Sequence, residues 1–465
     1  MSRFTPVFIA GCGLVAALAL AVGPLDRRVE SRAPGKSRRS GVILPDVVQS
    51  PGYGGAAAAP RPATGFAPQT RVGFTSGDQW EPAIAADRGG RVYILYPQYL
   101  GVPGCPGCFS PTMILQVSAD RGATWSAPRI IHPDGSSTGQ WDAQIAVDPV
   151  DGRTVYAAWL QDGKSDIAVA RSDDFGATWS VVVANATNAA TDKPIIAVRG
   201  PHVYVAYNHA QKVWVSSSHD GGRTFTSANV NKTGKLGWSL AGGGVVDPAG
   251  RVYFGWSGYT QNGGAKGPVN LFVSRSTDGG NTWSTTTLHV SGSPPDCSDM
   301  FCGWAYLGAQ LTLAGDESGS VYALWNAGVG DQAPERIFFA KSSDAGTTWS
   351  RKIDVSAAPE GSHHAFPAIV AGAAGDVRIS WMDARDGRLW NTYYRRSSNG
   401  GTTWSAEVDL STDVVGFSYI EPGGFHFPFG DYYELAIDDQ GTTHAVWGEA
   451  LNWDSPGSIW YTRGK

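Results

Sequence analysis

One eight-residue pattern recurs six times and limits this chain to very few architectures. The copies are Ser118-x-Asp120-x-Gly122-x-Thr124-Trp125, Ser172-x-Asp174-x-Gly176-x-Thr178-Trp179, Ser218-x-Asp220-x-Gly222-x-Thr224-Phe225, Ser276-x-Asp278-x-Gly280-x-Thr282-Trp283, Ser342-x-Asp344-x-Gly346-x-Thr348-Trp349 and Ser397-x-Asn399-x-Gly401-x-Thr403-Trp404. Their Asp/Asn positions are 54, 46, 58, 66 and 55 residues apart. The chemistry is that of a tied hairpin. The carboxylate accepts backbone N–H groups of a tight turn, and the glycine supplies a conformation other residues resist. The threonine fastens the turn, and the aromatic ring packs between strands. Spacing of this size is the mark of a repeat architecture.

A second pattern, a strand ending in an aromatic residue, recurs seven times. Its copies are Val92–Tyr96, Val155–Trp159, Val203–Tyr207, Val252–Trp256, Val321–Trp325, Val377–Trp381 and Thr443–Trp447. Each follows a short apolar strand and a turn, as in Pro82–Asp87 and Glu434–Asp438. A unit therefore reads strand, turn, strand, loop, strand, tied turn, strand. Seven strand pairs and six tied turns leave the last unit, which stops at Ile459–Thr462, without a fourth strand. Thr70–Phe74 resembles the other fourth strands and can close the ring. The sequence predicts an all-β fold, a seven-bladed β-propeller over residues 67–465, with a six-bladed ring as runner-up.

Composition supports this and excludes other classes. The chain has 465 residues, 60 glycines and 18 tryptophans against 4 methionines, which favours short strands and tight turns. Net charge is −5, with no Lys/Arg cluster in the body of the chain, so a nucleic-acid partner is not expected. No phosphate loop or dinucleotide fingerprint occurs, so no nucleotide is expected either. Residues 1–25 read as a signal peptide or membrane anchor. The run Ile9–Cys12 also looks like a lipoprotein box, and basic residues after the run would oppose export. Residues 26–66 are a Pro/Gly/Ala/Arg-rich linker of disordered composition. Cys105/Cys108 and Cys297/Cys302 read as two local disulfides of an exported protein, with a four-thiolate zinc site as the alternative. The expected location is outside the cytoplasm: secreted, cell-surface or periplasmic. Membrane contact is expected only through the N-terminal segment, and the ring is complete as a monomer.

The six tied turns resemble the Asp-box (BNR) repeats of the sialidase superfamily, over essentially all of the chain after the linker. The resemblance implies a propeller and points toward carbohydrate chemistry. It also implies departures. Sialidases proper are six-bladed and hold a substrate carboxylate with three arginines, the first in an Arg-Ile-Pro motif of blade one. Here that place reads Trp80-Glu81-Pro82. Arg336, Arg385 and Arg388 are candidates for the other two only because they fall near loop ends. A Tyr/Glu nucleophile pair and an Asp acid/base belong to the same family set.

In a four-stranded blade the tied turns share one face, and the loops before strand one and between strands two and three share the other. The second face should be functional. The starts of the first strands place Glu81, Asp142, Asp192, Asp431 and Tyr432 in one sector of the channel mouth, with Lys193 among them. These are the candidate catalytic residues. Two carboxyls, one protonated and one ionised, are what glycoside hydrolysis requires. Trp80 and Trp141 are candidate sugar platforms. Long connections on the same face add Trp304, His364, Arg385 and His426 as candidate ligand-binding residues, near Tyr306, His363, Asp383 and Glu421. A His, Tyr and Arg set could also abstract a proton beside a uronate carboxylate. The competing readings of the mouth carboxylates are strand capping, channel solvation and a bound Ca²⁺; no other cofactor is expected. Two functions follow as expectations. One is an exported propeller that binds a glycan or a surface protein on its channel face. The other is a carbohydrate-active enzyme, an exo-sialidase-like glycoside hydrolase or a polysaccharide lyase.

Overall fold

The computed structural model describes residues 63–132, 138–231, 238–260, 267–295, 308–386, 389–411, 430–450 and 457–465. Seven antiparallel sheets form a ring, a seven-bladed β-propeller. Blade 2 is representative, with strands Gln140–Val147, Val155–Gln161, Asp166–Ser172 and Ser180–Ala186 running from the channel outward. Blade 7 takes Glu434–Ile437, Thr443–Ala450 and Gly457–Gly464 from the C-terminal end and Thr70–Val72 from the N-terminal end. Thr70, Arg71 and Val72 face Tyr461, Trp460 and Ile459 in antiparallel register. Ala67 N–H adds a 2.8 Å bond to Arg463 C=O. Closure by the N-terminal strand thus matches the sequence expectation, and it leaves no unpaired ladder between first and last blades.

The core lies between blades. Seven buried apolar clusters each fill a junction between neighbours. Tyr93, Leu95 and Leu115 of blade 1 pack on Ala143, Ile145 and Trp159 of blade 2. Each leucine or isoleucine among them contributes about 1.5–3 kcal/mol on burial. Where blade 4 meets blade 5 the backbones themselves touch, since a Cβ on Gly243 would lie 2.4 Å from Leu313 N. The strand-two aromatics that recur in the sequence end in these junctions. Three donate their indole N–H two residues onward, Trp159 to Gln161 at 3.1 Å, Trp381 to Asp383 at 2.9 Å and Trp447 to Glu449 at 2.9 Å.

The tied turns have the expected bonds. In blade 4, Ser276 Oγ and Thr282 N–H donate to Asp278 Oδ1 at 2.7 and 2.9 Å, and Thr282 Oγ1 donates to Oδ2 at 2.6 Å. These bonds hold the carboxyl of Asp278, and likewise those of Asp120, Asp174 and Asp344, down to about 2. The turns between strands one and two, which the sequence marks as turn chemistry at Asp247–Gly250, carry a second staple. Asp247, in the turn between strands one and two, accepts Ala249 and Arg251 N–H, and Tyr253 O–H reaches its Oδ2 at 3.0 Å. Tyr93 and Tyr322 do the same to Asp87 and Asp316. This explains why tyrosine follows valine in the second strands. It also gives the Asp247 turn a hydrogen-bonding role.

Candidate functional site

The inner strands do not run straight into the mouth. Glu81, Asp142, Lys193 and Phe366 have φ of 52°, 58°, 53° and 55°. They occupy matching places in blades 1, 2, 3 and 6. Register shifts fall there, between Trp141 and Gln144, Asp192 and Ile195, and Ala365 and Ala368. In blade 1 the strand is broken outright between Gln79 and Ala83. A bulge of this kind re-aims a side chain, and a left-handed non-glycine residue costs about 1–3 kcal/mol. Four such residues at one level of one ring mark the mouth as a place where stability yields to side-chain direction.

Three of the four carry charge, and they meet. Lys193 Nζ pairs with Asp431 Oδ1, with both side chains nearly buried. It also lies 4.6 Å from the centre of the Tyr432 ring. Lys193 N–H donates to Asp142 Oδ2 at 3.3 Å. The Glu81 carboxyl is hydrogen-bonded to Asp431. Burial, then the charges of Asp431 and Asp142, push Glu81 well above the usual carboxyl range, with Lys193 opposing. These influences favour the protonated form of Glu81. Burial disfavours the Lys193 ammonium, but Asp431, Glu81, Asp192 and Asp142 outweigh it and hold the lysine charged. Burial and the charge of Glu81 drive the Tyr432 phenol up, so it stays neutral. Asp192 is 3.9 Å from Lys164 Nζ.

Below the mouth lies a cavity of about 240 Å³ that touches every blade, at Ile84, Gln144, Ile195, Gly243, Thr312, Ala368 and Glu434. It is the central channel. Asp142, Lys193, Asp431 and Tyr432 form its polar upper wall, and isoleucines and leucines form much of the rest. Glu434 is set into that apolar wall. It accepts Ile84 N–H at 3.0 Å and Gln144 Nε2 at 2.8 Å. Burial raises its carboxyl to about 7 against these two bonds.

Several sequence expectations change here. Trp80 and Trp141 are 5% and 7% exposed and share one buried cluster. Trp80 packs on Tyr99 at 4.7 Å between ring centres. Each sits one residue before its left-handed turn, and its indole is buried in that cluster. Neither offers a sugar platform. His364 and Arg385 join a different group. Arg385 binds Asp383 at 2.6 Å and also pairs with Glu407. His364 Nε2 meets Ser356 Oγ at 2.7 Å and lies 3.7 Å from Asp383. Burial lowers the imidazole, with the charge of Asp383 opposing. This group does not line the channel. Arg336 is spent on Asp354 at 2.8 Å. Trp304, His426, Tyr306, Glu421, Arg388 and the Cys297/Cys302 pair lie outside the described residues. Cys105 and Cys108 form the expected disulfide. Among the described residues no three His, Cys, Asp or Glu side chains converge as a metal site. Sequence reasoning missed Gln144 and Glu434. The available signal was a glutamate opening the otherwise apolar strand Glu434–Ile437.

A BNR repeat-like domain matches residues 67–298. A xyloglucanase from Paenibacillus sp. is 28% identical over 264 residues, covering 50% of this chain and 23% of that protein. The chain thus spans about a quarter of the curated relative it matches. An ulvan lyase of polysaccharide lyase family 25, bound to a glucuronate–sulfated rhamnose unit, superposes with a TM-score of 0.52 at 10% identity, over 84% of this chain and 95% of that one. The NanB sialidase of Streptococcus pneumoniae gives a TM-score of 0.46 at 13% identity, over 86% and 70%. The six tied turns, the seven-sheet ring and the BNR repeat-like match over residues 67–298 together make the chain a seven-bladed β-propeller built on Asp-box (BNR-like) repeats.

Proposed function

We propose that this protein is an exported propeller that binds a carbohydrate at its channel mouth. The observation that carries this reading is the cluster of Glu81, Asp142, Lys193 and Asp431, three of them held in strained backbone, above a cavity of about 240 Å³. Strain concentrated on polar side chains at a concavity is the usual mark of a ligand site. The kinship with a xyloglucanase favours a glycan over a protein ligand. The Cys105–Cys108 disulfide favours an oxidising compartment. The mouth is ill suited to sialate or uronate. Its one lining cation among the described residues, Lys193, already pairs with Asp431.

A second reading is glycoside hydrolysis. Glu81, whose carboxyl burial and the charges of Asp431 and Asp142 push well above the usual range, is the kind of carboxyl that can serve as a proton donor. In that reading Glu81 is the proton donor and Asp142 the base or nucleophile.

Calorimetric titration with neutral, acidic and amino oligosaccharides tests both readings, with mass spectrometry of the mixtures. Binding without cleavage supports the receptor. A shortened product lost in Glu81→Gln supports the hydrolase. No binding and no product across the panel overturns the carbohydrate reading.

A further inference from the structure

In blade 1 the loop joining strand two, Val92–Tyr99, to strand three, Thr112–Ser118, holds two apolar side chains in solvent. Phe109 is 45% exposed, the one exposed aromatic side chain among the described residues, and Leu100 is 44% exposed. Val102, between them in sequence, is buried. Leu100 also has φ of 65°, a conformation that a bulky side chain resists. Gly101 N–H donates to Ser110 Oγ at 3.4 Å, so Leu100 and Phe109 flank a single contact. The Cys105–Cys108 disulfide spans only three residues. A cross-link that short removes little freedom from the unfolded chain, so its effect is local. Gln98 Nε2 donates to Gly101 C=O at 3.1 Å, Cys105 N–H to Val102 C=O at 3.0 Å, and Thr112 Oγ1 to Phe109 C=O. The loop is thus held in one shape, and it is joined to the mouth. Tyr99 packs on Trp80, and Pro111 C=O accepts Gln140 N–H at 2.8 Å, at the head of the strand that carries Asp142.

We infer that Phe109 is a platform at the rim of the mouth, on which a neutral sugar ring lies with its C–H face against the phenyl ring. This rests on the carbohydrate reading above. Strain at Leu100 and a purely local disulfide are explained if the direction of these side chains matters. A pyranose has axial C–H groups on a face and hydroxyls around its edge. An exposed aromatic ring suits the first, and the polar mouth beside it suits the second. A ring fixed in advance loses little conformational freedom when the sugar arrives. The loop from Tyr99 to Thr112 contains no charged side chain, so it offers nothing to a carboxylated sugar. A protein partner fits less well, because two side chains fall far short of the roughly 800 Å² that each partner gives to a stable interface. A lipid surface fits less well too, because the loop has no Lys or Arg to meet anionic headgroups.

The test is calorimetric titration of the full chain with β-linked tetramers of glucose, galactose and mannose and with a galacturonate tetramer. A neutral tetramer should bind tighter than the galacturonate. Phe109→Ala should weaken that binding about ten-fold or more, as loss of an aromatic anchor does. Phe109→Trp should bind as tightly as the parent chain or tighter. Phe109→Leu stays apolar but has no flat face, and it should not restore the affinity. The double variant Cys105→Ser, Cys108→Ser should weaken binding while its melting temperature stays near that of the parent. Melting curves check that every variant is folded. Unchanged affinity in Phe109→Ala, full affinity in Phe109→Leu, or tightest binding of the galacturonate overturns the inference while leaving the carbohydrate reading standing. Phosphatidylserine-containing vesicles that bind the parent and not Phe109→Ala overturn it in favour of a lipid surface. No binding by any tetramer removes both.

Discussion

Gln144 Nε2 donates to Glu434 Oε1 at 2.8 Å and so joins the inner strands of blades 2 and 7 past blade 1, whose Ile84 N–H bonds the other oxygen of the same carboxyl. One side chain thereby ties three blades around the channel. Its carboxyl is raised from 4.5 to about 7, so the folded state binds a proton that the unfolded chain gives up. Stability should therefore fall as pH rises from about 4.5 to about 7, by at most about 3 kcal/mol from this group. Urea midpoints across that window check it. Glu434→Gln should flatten the slope, and an unchanged slope would show that Glu434 titrates normally.

Glu81→Gln and Lys193→Met should separate clearly. Glutamine keeps a donor toward Asp431, so Glu81→Gln should cost less than about 1 kcal/mol. Methionine leaves Asp431 buried without its cation, which should cost roughly 3–5 kcal/mol. Chemical denaturation of the two variants compares them directly. Similar losses would mean that the lysine pairing is not what holds the mouth.

Gly430→Ala should damage the mouth more than the ring. Its φ is +69°, and an added Cβ would stand 2.4 Å from Glu81 Cγ. The clash should move Glu81 away from Asp431. We expect ligand affinity to drop at least ten-fold, about 1.4 kcal/mol, with a cooperative melt retained. Affinity equal to that of the parent chain would place the ligand elsewhere.

The tied turns should make acid unfolding gradual. Asp120, Asp174, Asp278 and Asp344 have carboxyls near 2 in place of 3.8. Their share of stability is complete above 3.8 and is lost as pH falls toward 2. In blade 6, Asn399 Nδ2 donates to Thr403 Oγ1, the reverse of the other turns. Asn399→Asp should bring that turn into the acid-sensitive set. The acid melting curve should then steepen slightly below pH 4, while the midpoint at neutrality changes little.

Removing Thr70–Val72 should open the ring. Val72 is buried in the junction of blades 7 and 1, and the edge of Gly457–Gly464 would be left bare. Lower melting temperature and concentration-dependent association in size-exclusion chromatography are the expected outcomes. A monomer with an unchanged melt would show that this strand is dispensable.

The fold was legible because its signals are local. A tied turn needs Ser118, Asp120, Gly122 and Thr124 within seven residues, so its chemistry survives in the sequence. The closing strand was legible by subtraction, since six tied turns serve seven units. The mouth was legible only in part. Aligning strand starts brought Glu81, Asp142, Asp192, Lys193 and Asp431 to one sector, but it said nothing of side-chain direction. The bulges reverse that direction between neighbours, which is why Asp142 lines the channel and Glu81 lies beside Asp431 while Trp80 and Trp141 sink into the buried core. His364 and Arg385 are on the expected strands, yet Ser356, Asp383 and Glu407 hold them in blade 6. Gln144 and Glu434 meet across 290 residues of chain, a distance no local pattern spans.

The closing strand also fixes how the molecule is oriented on whatever holds it. Phe66 bridges to Gly464, and Arg463 NH1 contacts the carbonyls of Asp120 and Arg121 in the first tied turn. Both ends of the described ring therefore emerge on the face of the tied turns. A tether joined ahead of residue 63, or a tag fused after Lys465, would grip the propeller from behind and present the mouth outward. Immobilising the protein by either end for binding work should leave the Asp142 side of the ring turned toward solution.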